Sequence, residues 1–66
     1  MEKLSDEKSR VYDEKWELRK KYTRLFQFLN SESYKLLNKK QRVLLKKQYR
    51  VMCKYYNILR KRIRFW

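Results

Sequence analysis

The chain has 66 residues and contains no glycine, no proline, no histidine and only one cysteine. Without glycine and proline, the tight turns of β-hairpins and the glycine-rich loops that hold phosphates are disfavoured. Without histidine and with a single thiol, the chain can build neither a zinc site nor a disulfide framework. We therefore expect long uninterrupted helices, and neither a metal ion nor a cofactor.

Long apolar runs are also absent. No stretch approaches the about 20 apolar residues that a helix needs to cross a bilayer. The first residues, MEKLSD, lack the basic-then-apolar order of a signal peptide. We expect a protein without a transmembrane segment that works in a reducing cytosol.

Acidic residues are missing from the second half of the chain. Residues 1–32 hold eight basic and seven acidic side chains, whereas residues 33–66 hold twelve basic side chains and no acidic one. The net charge of the whole chain is +13. This asymmetry favours an anionic partner such as nucleic acid, a nucleotide, acidic lipid or an acidic protein. The alternative is a solvent-exposed helix face whose cations are solvated and bind no partner.

The apolar spacing predicts an all-α, antiparallel helical hairpin that forms a single domain over residues 1–66. The first helix, about residues 5–29, starts at Ser5 as its N-cap and carries apolar residues that are largely spaced by sevens. A turn follows over residues 30–37, with a short helical segment from Tyr34. The second helix, about residues 38–64, starts at Asn38 with Gln41 in a relaxed capping box. The predicted apolar residues are Leu4, Val11, Leu18, Tyr22, Leu25 and Leu29 on the first helix, and Leu45, Gln48, Met52, Tyr55, Tyr56, Leu59, Ile63 and Trp66 on the second.

The hairpin has more apolar surface than one seam between two helices can bury. Tyr12 and Trp16 stack four residues apart on the first helix, and Leu44, Val51 and Ile58 repeat by sevens on the second. A wide apolar arc favours hairpins that pack against each other into an oligomeric bundle. The alternative is a monomer in which the short helix covers the extra surface.

Anion binding is the chemistry that the sequence favours, and enzymatic catalysis is not expected. Arginine recognises phosphate with two parallel hydrogen bonds, and aromatic rings stack bases at about 1–3 kcal/mol per base. Gln48 and Arg62 fall among leucines, so each needs a partner, either a ligand phosphate or a hydrogen bond to a second copy. For Tyr55 the alternative is a core position, whereas Tyr49 flanks the basic side. The candidate ligand-binding residues are Gln48, Arg50, Tyr55, Arg62, Tyr49, Lys46, Trp16 and Arg19.

The second helix also carries a resemblance. It can be written Leu45-x-x-Gln48-x-x-x-Met52-x-x-Tyr55-x-x-x-Leu59-x-x-Arg62-Ile63, and it follows Leu25-x-x-Phe28-Leu29 and Tyr34-x-x-Leu37. This ordered combination resembles a family of small proteins from crAss-like phages. It is similar to the helical hairpin of phage sponge proteins that counter the CBASS and Thoeris defences. The resemblance covers about residues 18–63.

The resemblance implies a phage-encoded homo-oligomer in the host bacterial cytoplasm that sequesters a nucleotide immune signal without chemistry. The implied ligands are cyclic oligonucleotides or ADP-ribose derivatives, and the matching positions are Gln48, Tyr55 and Arg62. The strongly basic second half departs from such hairpins and keeps two alternatives open. One is a nucleic-acid-binding protein that contacts phosphate backbones through a face that includes Lys39, Arg42 and Lys54. The other is an inhibitor that docks on an acidic host protein.

Overall fold

The computed structural model describes residues 2–66, with side chains from residue 6 onward. Its elements are α1 (Glu2–Leu29), α2 (Glu32–Lys35) and α3 (Lys39–Arg64), and residues 2–66 contain no strand. The long helices α1 and α3 pack against each other as a hairpin, which confirms the predicted fold class. Helix α1 begins three residues earlier than predicted. The side chains of Leu4 and Ser5, a predicted seam residue and the predicted cap, lie outside the described residues.

The polar segment Asn30–Ser31 ends α1 because its side chains take over backbone hydrogen bonds. The side-chain Nδ2 of Asn30 donates to the Phe26 carbonyl at 2.9 Å, and the Ser31 hydroxyl donates to the Phe28 carbonyl at 2.6 Å. The same Ser31 oxygen accepts from the Tyr34 N–H at 3.3 Å and so caps α2. Two carbonyls of the last turn of α1 thereby gain hydrogen-bond donors, and the chain reverses without glycine.

Asn38 starts α3, as predicted. Its Oδ1 accepts from the Gln41 N–H at 2.9 Å, which satisfies one of the free donors of the first turn. The buried Tyr34 donates its hydroxyl to the Arg42 carbonyl at 3.0 Å and ties α2 to the start of α3. The turn between the long helices is therefore held at both ends by side chains.

The core is a seam between α1 and α3. Val11, Leu18 and Leu59 are buried, and Leu59 is 0% exposed. Met52, Tyr56 and Ile63 pack against them. The seam positions of each long helix alternate in steps of three and four, the repeat of a coiled coil, and all of them are buried or half-buried. They are residues 8, 11, 15, 18, 22, 25 and 29 on α1, and 42, 45, 49, 52, 56, 59 and 63 on α3.

The seam corrects the apolar stripe predicted for α3. Tyr49 is half-buried in the seam, whereas Gln48 and Tyr55 are exposed beside it. The sequence predicted one apolar stripe where the structure has two neighbouring lines of residues, because both lines repeat by sevens and both are largely apolar. The predicted line on α1 agrees with the structure from Val11 to Leu29.

The hairpin is only two helices thick, with extents of 51 × 14 × 14 Å. Each long helix therefore packs along its length against only one other long helix, and large apolar side chains on its other faces stay exposed. Within residues 2–66, no helix has the length and apolar character to span a bilayer.

Replacing Leu59 by alanine is expected to destabilise the hairpin by about 2–5 kcal/mol, because Leu59 is fully buried in the seam and the substitution leaves a cavity there. The measurement is urea unfolding followed by circular dichroism. Leu36→Ala is the matched control, because Leu36 is 86% exposed. Equal losses in the two variants would show that Leu59 does not anchor the seam.

Replacing Asn38 by alanine is expected to cost about 0.5–2 kcal/mol, because the Gln41 N–H loses its acceptor. Asn38→Asp keeps an acceptor and places a negative charge at the helix N-terminus, so it should retain the stability. Thermal unfolding of the three proteins compares them. A drop in the aspartate variant equal to that in the alanine variant would contradict the capping role.

Candidate functional site

A second line of residues runs along α3 beside the seam, and we call it the outer stripe. Its members lie at steps of four and three, and all are exposed. Leucine, valine, isoleucine and phenylalanine alternate along it with three polar or aromatic residues spaced by sevens. The outer stripe consists of Leu44, Gln48, Val51, Tyr55, Ile58, Arg62 and Phe65.

The outer stripe faces away from α1. At about 100° per residue, its mean direction lies about 120° around α3 from the seam. The three members with hydrogen-bonding groups, Gln48, Tyr55 and Arg62, follow each other at about 10 Å along the helix, from 1.5 Å per residue. Tyr55 is 39% exposed, so much of its ring is accessible.

This exposure changes the expectation for Gln48 and Arg62. The sequence placed both among buried leucines, where an unpaired polar group would be costly. In the hairpin both are exposed, so neither needs a partner from its own chain. They remain available to a ligand or to another molecule.

Tyr49 lies in the seam and not on a free basic surface. Its ring centroid is 6.2 Å from that of Tyr22, edge-on, and 5.7 Å from that of Phe26. A side-chain hydrogen bond with Cys53 raises the pKa of Tyr49 above 10.0, and partial desolvation adds to this. The Tyr49 hydroxyl is therefore neutral near pH 7, and its ring is already packed against two others.

The contact between Phe26 and Tyr49 marks one of the two sides of the seam between α1 and α3. Helical angles place Phe26 on the same side of α1 as Arg19, and Tyr49 on the same side of α3 as Lys46 and Arg60. The outer stripe lies on the other side of the seam, together with Glu14 of α1.

We call the side marked by Phe26 and Tyr49 the basic face. It presents exposed or half-buried cations together with the exposed aromatic rings of Tyr12, Trp16 and Phe26. Its residues are Tyr12, Lys15, Trp16, Arg19 and Phe26 on α1, and Lys39, Lys46, Arg50, Arg60 and Arg64 on α3.

The structure thus divides the eight predicted site residues. Gln48, Tyr55 and Arg62 come together on the outer stripe. Lys46, Arg50, Trp16 and Arg19 belong to the basic face, where Arg50 lies two heptads before Arg64 on α3. A single site that uses all eight residues of one hairpin is not possible.

A cleft that the sequence reasoning did not single out lies near the end of α3. Asn57, Arg60, Lys61 and Arg64 line a volume of about 350 Å³. The signal was present, because positions 57, 60, 61 and 64 follow the helical spacing that puts side chains on one surface.

The fold and its surfaces define the class: a small helical hairpin with an exposed stripe of aromatic, amide and guanidinium groups suited to binding. The chain belongs to the Sequestin family, whose model matches residues 5–65. This family name suggests a sequestering protein, which is compatible with binding without chemistry. No curated protein and no solved structure matches the chain.

Proposed function

We propose that this protein sequesters a nucleotide immune signal, either a cyclic oligonucleotide or an ADP-ribose derivative. In this proposal it is a phage-encoded protein that acts in the cytoplasm of the host bacterium. It withholds the signal from the host effector and does no chemistry on it. Membership of the Sequestin family supports the sequestering role.

The observation that carries the proposal is the polar series of the outer stripe. Gln48, Tyr55 and Arg62 repeat by sevens, are exposed, and are separated by apolar residues. A phosphorylated nucleotide needs three kinds of group: a cation for phosphate, an aromatic ring for the base, and a hydrogen-bonding group for the base edge or ribose. The series offers one of each.

The roles follow from the chemistry of the three side chains. Arg62 holds a phosphate through its planar guanidinium, and Tyr55 stacks on the base. The amide of Gln48 can both donate and accept, so it suits the base edge or a ribose hydroxyl. Arg50 and nearby lysines add positive potential that attracts the anion from a distance.

A second copy completes the site. The outer stripe lies on the convex surface of one helix, whereas small-ligand sites are concave and bury most of the ligand. The exposed apolar members Leu44, Val51 and Ile58 provide a surface for another hairpin. Packing stripe against stripe would enclose the polar series of both copies, so a homo-oligomer is part of the proposal.

Arg62→Ala is expected to weaken binding of the nucleotide by at least about tenfold, because a hydrogen bond to a charged group contributes about 1.5–3 kcal/mol. The wild type is first tested by thermal shift against cyclic di- and trinucleotides and ADP-ribose derivatives. Salt at about 0.3 M screens loose electrostatic attraction, and a bound ligand raises the melting temperature by mass action.

Arg60→Ala is the matched control, because it removes the same charge only two residues away, but on the basic face. Calorimetry of both variants with the ligand from the panel gives the comparison. Equal weakening in the two variants would mean that only net charge matters. No shift with any nucleotide of the panel would contradict the proposed ligand class.

Ile58→Glu is expected to separate the copies, because it places a charge in the middle of the apolar part of the outer stripe. Sedimentation of the wild type should give a mass above that of one 8.6 kDa chain, and the variant should shift toward one chain. Leu36→Glu is the control, because Leu36 is also an exposed apolar residue but lies at the end of α2, in the turn between the long helices. A wild type that sediments as a single chain would overturn the shared site.

A further inference from the structure

The basic face has a charge pattern that the proposed nucleotide site does not use. Helix α3 contains no acidic residue. Helical angles turn the α1 acids Asp13, Glu14 and Glu17 away from this face, and Glu17 is paired with Lys20 at 3.4 Å. Among residues 6–66, the long helices therefore present cations on the basic face without acidic neighbours to neutralise them.

Clefts lined by cations lie at both ends of the basic face. Near the turn, Lys39, Arg42 and Lys46 line a volume of about 230 Å³ together with Tyr34 and Val43. At the other end is the cleft of about 350 Å³ that contains Arg60 and Arg64. The helical rise places Lys39 and Arg64 about 37 Å apart along the axis of α3.

Trp16 lies on the same side, on α1. Its ring is 49% exposed, with the Lys15 ammonium 5.3 Å and the Arg19 guanidinium 5.4 Å from the ring centroid. Trp16 and Arg19 also line a groove of about 360 Å³ that runs toward Gln27. The exposed part of the Trp16 indole can stack on a base of a bound strand. The cations beside the ring can attract the phosphates of the same strand.

We propose that the basic face binds single-stranded nucleic acid. The phosphates lie along Lys39, Lys46, Arg60 and Arg64, and one base stacks on Trp16. The length of the face selects a polymer, because a mononucleotide cannot span cations that are about 37 Å apart. The exposed ring selects a single strand, because the bases of a duplex are already stacked on each other.

This activity is separate from nucleotide sequestration. The outer stripe and the basic face lie on opposite sides of the seam, so substitutions can abolish binding at one of them without affecting the other. The polymer site depends on long-range charge and should be strongly sensitive to salt.

The test uses fluorescence anisotropy of a labelled oligothymidylate of about 12 nucleotides at several salt concentrations between about 0.05 and 0.2 M. Arg60→Gln/Arg64→Gln should flatten the slope of log affinity against log salt by about 1.4, since each lost phosphate contact on a single strand contributes about 0.7. Circular dichroism checks that the variant keeps its helices.

Arg10→Gln/Lys21→Gln is the matched control, because it removes two charges from the opposite side of α1. This control should keep the slope of the wild type. Equal flattening in the two double variants, or no binding of the wild type at about 0.05 M salt, would overturn the proposal.

Stacking is tested in a Trp66→Phe background, where Trp16 is the only tryptophan. The oligonucleotide should quench Trp16 fluorescence, and a duplex of the same length should quench it less. Equal quenching by the duplex would overturn the assignment to a single strand. Arg62→Ala should leave binding of the oligonucleotide unchanged, although it removes a residue of the proposed nucleotide site. A failure of one site can therefore be distinguished from a failure of the other.

Discussion

The burial of Leu59 between Val11 and Leu18 is the interaction on which the rest of this small protein depends. A hairpin of two helices has one seam, and this one is held by a few interlocked apolar residues with tyrosine rings packed edge-on beside them. Chains of this size are marginally stable because they bury only a modest fraction of their surface. The orientation of every exposed group on α1 and α3 is fixed only while this seam holds.

A fold with one seam leaves most of each helix uncovered, and the chain places different chemistry on the two sides. The outer stripe alternates apolar residues with a glutamine, a tyrosine and an arginine, whereas the basic face combines cations with a half-exposed indole. The first pattern suits a surface that closes against another copy around a small ligand. The second suits an extended anion that follows the helices. Both uses rely on side chains held by rigid helices, which lowers the entropy lost on binding.

The charge of +13 bears on any assembly of this chain. Copies of a strongly basic hairpin repel each other, and salt weakens that repulsion. If two hairpins packed through their outer stripes, the sides on which Glu14 lies would face each other. The basic faces of both hairpins would then point outward. A bound phosphorylated ligand would offset part of the remaining repulsion between the arginines, so ligand binding and self-association would support each other.

The sequence by itself determined the helical hairpin, its turn and the cap of the second long helix at Asn38, whereas the cap predicted at Ser5 falls inside α1. The absence of glycine and proline favours long helices, the polar run at residues 30–33 interrupts them, and Asn38 starts the second. The sequence also named Gln48, Tyr55 and Arg62, and it detected the excess of apolar surface. It could not decide which of two adjacent heptad lines on α3 forms the seam, because apolar residues repeat on both and the pattern of one helix does not show which side packs against the other helix. Only packing against α1 decided this: it drew Tyr49 inward, left Tyr55 outside, and placed the outer stripe and the basic face on opposite sides.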